Sequence, residues 1–207
     1  MHTERGFDRL VNFSDAVVAI AITLLILPLV DTATEYEPGK VAELLEQGAP
    51  RLLVFVISFV VIGRFWLAHH GMYEKIVGYN REVLLVNLLW LLSIVFLPFP
   101  TELIASAGQD DRTTTALYVG TMVVTSLSGV WQQWVFVRHP ELQAPEVRGT
   151  LRMGTALISG ALMVTAFLLV VLVPSGGLVW LFLLLLTGPL QLAYNRRQRA
   201  KSSAPVS

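Results

Sequence analysis

No cysteine occurs among the 207 residues. Disulfides and thiolate chemistry are excluded, and a metal site would need His and carboxylates alone. Charge is scarce as well. Only 14% of the chain is Asp, Glu, Lys or Arg, where a soluble domain averages about a quarter. Acids and bases number 15 each, so net charge points to no partner and gives no sign of nucleic-acid binding. There is no phosphate loop, no Ser/His/Asp arrangement and no pair of membrane-buried carboxylates. The residues therefore offer no support for an enzyme. A soluble domain and an internal repeat are missing too.

What is there is apolar: 54% of the chain is hydrophobic, gathered in long runs. The run from Leu10 to Val30 spans about 31 Å as a helix, enough to cross a bilayer. No small-residue cleavage site follows a short core, so it reads as a first membrane helix and not as a removed signal peptide. An acidic connection follows, with Val41 to Gln47 as a short surface helix after Pro38-Gly39. Further spans are expected at Leu52 to His70 and at Val83 to Pro98, the latter stopped by Pro98-Phe99-Pro100. Three more follow at Thr114 to Val137, Arg152 to Val173 and Leu178 to Tyr194, the last kinked at Gly188-Pro189.

The expected fold is thus an all-α integral membrane protein with six transmembrane helices per subunit. Residues 1–200 make a single six-helix domain, and 201–207 a flexible tail. Lys40, Arg51 and Arg112 fall on one side of the membrane. Arg5, Arg9, Arg64, Lys75, Arg81, Arg138, Arg148, Arg152, Arg196, Arg197, Arg199 and Lys201 fall on the other. The positive-inside rule then makes both termini cytoplasmic.

The first helix carries two jobs. At about 100° per residue, Ile20, Leu24 and Leu27 share one stripe, extended inward by Phe13 and outward by Asp31, with Thr23 at its edge. By residue type alone this stripe faces lipid, another helix or an axial pore. Thr23 either offers hydroxyl oxygens there or bonds back to a carbonyl one turn earlier. Asp15 points nearly opposite, beside Asn12 and Ser14. An acid inside a membrane helix is costly and meets protein or water. It is either a functional group or an anchor to a neighbouring helix. Arg64 either snorkels or pairs with Asp15. His69 and His70 suit a pH element or a hydrogen-bonded cap, and being adjacent they lack the spacing of a helical metal pair. Asn87 and the Trp131–Trp134 segment suit hydrogen bonding between helices and interface anchoring.

Arg9-x-x-x-Phe13-Ser14-Asp15, followed by Ala19-Ile20 and Thr23-Leu24-Leu25, closely resembles the prokaryotic members of the TMEM175 family, six-helix potassium channels related to the lysosomal one. Gly63, Trp66 and His69-His70 fit that family's second helix. Asn80-Arg81, Asn87-Leu-Leu-Trp90 and Phe96-Leu-Pro98 fit its third. The resemblance implies a potassium-preferring cation channel, a homotetramer in the inner or plasma membrane of a prokaryote, with the first helix (about residues 8–30) lining the pore. Matching positions make Ile20, Leu24 and Leu27 the constriction and Thr23 a selectivity residue. Arg9, Phe13, Ser14 and Asp15 match the signature and form a structural polar network, which Arg64, His69, His70 and Asn87 join. Asp31 sits at the outer mouth. Permeant potassium ions are the only expected occupants, with no cofactor and no metal. The competing classes are a secondary or proton-coupled transporter and a non-conducting membrane assembly or sensor protein. Against a transporter, the midplane of every span is almost wholly apolar.

Overall fold

The computed structural model describes residues 4–34, 41–107 and 111–202. Glu35, Glu37, Pro38-Gly39, Lys40 and Asp110 of the expected connections, and positions 203–207 of the expected tail, lie outside the described residues. Among the described residues there is no strand, only an isolated bridge between Ile76 and Gln143. The helices are α1 (Glu4–Leu24), α2 (Leu27–Thr34), α3 (Val41–Tyr73), α4 (Arg81–Phe96), α5 (Pro98–Ala107), α6 (Arg112–Arg138), α7 (Gly154–Leu172) and α8 (Thr187–Ser202). Three 3-10 segments lie at Pro140–Leu142, Pro145–Val147 and Pro174–Leu186.

Proline decides several boundaries, and not always as a stop. The first expected span is divided. Pro28 has no N–H for the Leu24 carbonyl and its ring crowds the preceding turn. The chain tightens there, with Leu25 N–H bonding to Ile22 O and Ile26 N–H to Thr23 O, both at 3.3 Å. Then α2 starts at Leu27, with Pro28 in its first turn, where no N–H is needed. The two pieces still make one apolar span, Arg5–Asp31. Pro98 corrects the expected end of the third span in the same way. It opens α5 as its first residue. Thr101 N–H reaches back to Leu97 O at 3.1 Å, and Arg81–Ser106 forms one span. The segment beyond Pro100, expected as a connection, is helical to Ala107.

The second span also differs from expectation. The separate surface helix at Val41–Gln47 is the start of α3, which runs through Pro50 for 33 residues. One missing hydrogen bond near an end is offset by the long apolar run behind it. The last expected span is a 3-10 stretch to Leu186, and α8 begins at Thr187. Gly188-Pro189 therefore falls in the first turn of α8 and not at a kink within a single helix.

By length and composition, four stretches can cross a membrane: Arg5–Asp31, Gly48–Tyr73, Arg81–Ser106 and Gly154–Leu172. Half of the third is buried, against 22% of each of the others, which makes α4–α5 the central post. Its Trp90 and Ile94 pack with Ile62, Tyr118 and Met122 in the main core. Phe7, Leu10, Tyr73, Val83 and Phe136 form a second cluster beside the N-terminal end of α1. Between lipid-embedded helices, apolar burial gains little, so close approach and hydrogen bonds matter more. Gly160 on α7 lets α6 come close, since a Cβ there would stand 2.9 Å from Val130 Cγ2. Along α6, Thr121, Thr125 and Ser128 return their hydroxyls to carbonyls four residues back, at 2.7–3.0 Å. Its N-cap is Asp111, which accepts from the N–H groups of Thr113 at 3.3 Å and Thr114 at 3.0 Å.

Candidate pore helix and its polar anchor

α1 has two unlike faces. Val18, Ala21 and Leu25 are buried against the rest of the subunit. On the other side Phe13 is 53% exposed, Ile20 60%, Leu24 39% and Leu27 51%. Arg9 is exposed at one end of that side and Asp31 at the other. The stripe of Ile20, Leu24 and Leu27 is thus left exposed on the subunit's surface. Thr23 is exposed beside it, and its hydroxyl donates to Ile20 O at 2.8 Å. That bond uses the proton and leaves the oxygen's lone pairs outward.

The buried side of α1 is held by polar groups. Ser14 Oγ donates to Leu10 O at 2.9 Å and accepts from Asn87 Nδ2 on α4 at 2.9 Å. Asn87 Oδ1 then receives His69 Nε2 of α3 at 2.8 Å. Because the Asn87 amide is spent on Ser14, its carbonyl must accept, and His69 carries its proton on Nε2. The His69 ring lies between Tyr73 and Trp90, each centroid 4.1 Å away. Ser14, His69 and Asn87 are all buried. One turn of three helices is locked together, which fixes both the depth and the rotation of α1.

Asp15 is tied separately. Its Oδ1 accepts from Trp66 Nε1 at 2.8 Å, and Trp66 stacks on His70 at 5.2 Å. His70 Nε2 stands 3.4 Å from Glu74. Arg64, the partner suggested for Asp15, is exposed and forms no ion pair among the described residues. Depth was matched, but the face of α3 that meets α1 carries Trp66. Arg9 and Phe13 are likewise outside the network, because their side chains lie on the outward face. The anchor gathers Ser14, His69 and Asn87, with Asp15 and His70 linked through Trp66.

A second buried set was not foreseen. Thr101 Oγ1 of α5 lies 3.0 Å from Ser58 Oγ of α3, which lies 3.1 Å from the Tyr118 hydroxyl of α6. Its sequence signal is faint: Ser58 is a lone hydroxyl in a long apolar run, and Tyr118 is one of several hydroxyls along α6. Among the described residues no group of three His, Asp or Glu is placed to hold a metal ion.

These features define the class: an all-α, multi-pass membrane protein whose N-terminal helix is anchored on one face and bare and apolar on the other. The chain belongs to the TMEM175 family. That family's sequence model, described as the endosomal/lysosomal potassium channel TMEM175, matches residues 9–98. A potassium channel of Streptomyces collinus is 33% identical over 150 residues, covering 69% of this chain and 72% of that relative. The human endosomal/lysosomal proton channel TMEM175 is 30% identical over 101 residues, 48% of this chain and 20% of the human protein. These relatives are ion channels and not enzymes. Among solved structures, a lysosomal potassium-selective channel TMEM175 homolog from Chamaesiphon minutus shares the fold at a TM-score of 0.57 and 24% identity. The match covers 88% of this chain and 98% of that one. A variant of the potassium channel MtTMEM175 shares it at a TM-score of 0.62 and 19% identity, covering 93% of each chain.

Proposed function

We propose that this chain is the subunit of a potassium-conducting channel, a homotetramer with four α1 helices around the axis. The observation that carries the reading is the bare apolar face of α1 set against its hydrogen-bonded opposite face. The potassium channels among its relatives add support. In this arrangement Ile20, Leu24 and Leu27 form rings that close the path by excluding water and open it by widening. Thr23 offers a hydroxyl oxygen to a passing ion, and Asp31 raises the cation concentration at the outer mouth. Ser14, Asp15, His69 and Asn87 hold the rotation that keeps the stripe on the axis.

The rest of the topology follows from this reading. Residues 1–200 form one channel domain. The four apolar spans, α6, and the 3-10 stretch continued by α8 make six crossings. Both termini lie on the cytoplasmic side of a prokaryotic inner or plasma membrane. Permeant potassium occupies the pore and no other cofactor is needed.

The test is ion flux from liposomes holding the purified chain, with potassium and sodium compared and internal pH followed by a dye. Potassium flux above sodium flux is expected. Ile20→Asn and Leu24→Ala should each raise leak severalfold by letting water stay in the constriction. Flux unchanged in both folded variants would remove α1 from the pore. Transport carried by protons alone would favour the activity described for the human relative.

A further inference from the structure

The chain's charges balance overall but not along its length. From Gly149 to Ser207 there is no Asp or Glu, while Arg152, Arg196, Arg197, Arg199 and Lys201 are all basic. The ends of three helices meet on that stretch. Gln133 of α6 donates to Arg152 O at 3.1 Å, just before α7 starts. Tyr194 of α8 lies against Gly154, so close that a Cβ there would stand 2.1 Å from the ring. About one turn earlier, Gln191 Nε2 donates to Ser159 Oγ at 2.9 Å and to Thr155 O at 3.3 Å. Arg152 and Arg196, both exposed, are therefore held at one end of the α6–α7–α8 group.

A second observation comes from α6 itself. The Arg138 guanidinium lies 5.0 Å from the centre of the Trp134 ring. Both residues are exposed, and Arg138 forms no ion pair among the described residues. Two acids of the neighbouring segments are engaged elsewhere: Glu141 stands 2.8 Å from His139, and Glu82 accepts from Trp131 Nε1 at 3.3 Å. A guanidinium over a ring keeps its in-plane N–H fork for a phosphate. At about 100° per residue, Trp131, Leu127 and Val124 continue the same side of α6 toward the membrane interior, and all three are exposed. Trp rings settle at headgroup level. One side of the helix thus carries an apolar stripe, an aromatic belt and a guanidinium, in that order.

We propose that this end of the molecule binds an anionic phospholipid, its phosphodiester on Arg138 and its acyl chains along Leu127 and Val124. Arg152 and the basic end of α8 add attraction for its negative charge. Membrane orientation asks only for positive charge near the helix ends. It does not ask for a guanidinium over a Trp ring at the head of an apolar stripe. A soluble phosphate ester shares the headgroup chemistry but has nothing to lay along that stripe. The site stands whether or not α1 lines a pore.

The test is native mass spectrometry of the full chain, released from detergent micelles doped with phosphatidylglycerol or phosphatidylcholine of the same acyl chains. Phosphatidylglycerol should be retained severalfold above phosphatidylcholine. Arg138→Gln should lower that preference about fivefold, the effect of one basic side chain at an anionic surface. Arg152→Gln and Arg196→Gln should each lower it less. Arg112→Gln, at the other end of α6 and about 39 Å away along the helix, should retain lipid as the native chain does. Equal retention of the two lipids, or an unchanged preference in Arg138→Gln, would overturn the proposal. So would release of the lipid by millimolar sn-glycerol 3-phosphate, which would assign a phosphate site with no part for the acyl chains.

Discussion

Asn87 bonds two neighbouring helices at once, giving its amide to Ser14 and its carbonyl to His69. A single interhelical hydrogen bond in a membrane contributes on average about 0.6 kcal/mol, because the separated helices also find partners. Losing two, with a buried His69 left unpaired, costs more. Asn87→Ala should lower the unfolding free energy in detergent by about 1–3 kcal/mol. Arg9→Gln, on the outward face, should change it by no more than about 0.5 kcal/mol. Equal losses in the two variants would place Arg9 in the anchor. Ser14, Asp15, His69 and Asn87 were legible in the sequence, since each is a polar group within an apolar run and must find a partner. The pairing was less so. Arg64 and Trp66 are two residues apart, about 200° around the helix, and only the rotation of α3 against α1 decides which meets Asp15. Ser58, Thr101 and Tyr118 were illegible for a related reason. The Ser and Thr hydroxyls satisfy themselves on their own helices just as well, as Thr101 does on Leu97 O, and these partners lie 43 and 60 residues apart.

At the scale of the element, apolar runs gave the helices and proline blurred their ends. Pro98 reads as a stop, yet like Pro28 it fits the first turn of a new helix, where the missing N–H has no consequence. Pattern alone cannot tell the two apart when apolar residues continue on both sides. The helix cap at Asp111 is a clearer signal and carries a pH dependence. The Thr114 hydroxyl, followed by the Thr114 and Thr113 N–H groups, holds its carboxyl below the usual carboxylate range. A depressed folded value means that the ionised cap contributes stability above the unfolded-state pKa. That contribution disappears as pH falls through the folded one. Asp111→Ala should therefore unfold at a lower temperature than the native chain at neutral pH, with the gap closing in acid. A gap that stays constant down to strongly acidic pH would show that the ionised carboxylate is not the cap.

At the scale of the whole molecule, exposure alone does not single out α1. Leu67 on α3 is 58% exposed and Leu92 on α4 66%, much like Ile20, and apolar side chains in a bilayer face lipid by default. What separates α1 is the company its bare face keeps. Thr23 lies at its edge, Arg9 and Asp31 at its ends, and the opposite face is fixed by hydrogen bonds to two other helices. The absence of native cysteine makes this testable one position at a time. Single cysteines would be placed at Ile20, Thr23, Leu24, Leu67 and Leu92, and silver ions, close to potassium in size, added to reconstituted protein during potassium flux. Block by silver at Ile20→Cys, Thr23→Cys and Leu24→Cys, with Leu67→Cys and Leu92→Cys unaffected, is the result this account predicts. Block confined to Leu67→Cys or Leu92→Cys, with the α1 positions insensitive, would contradict it.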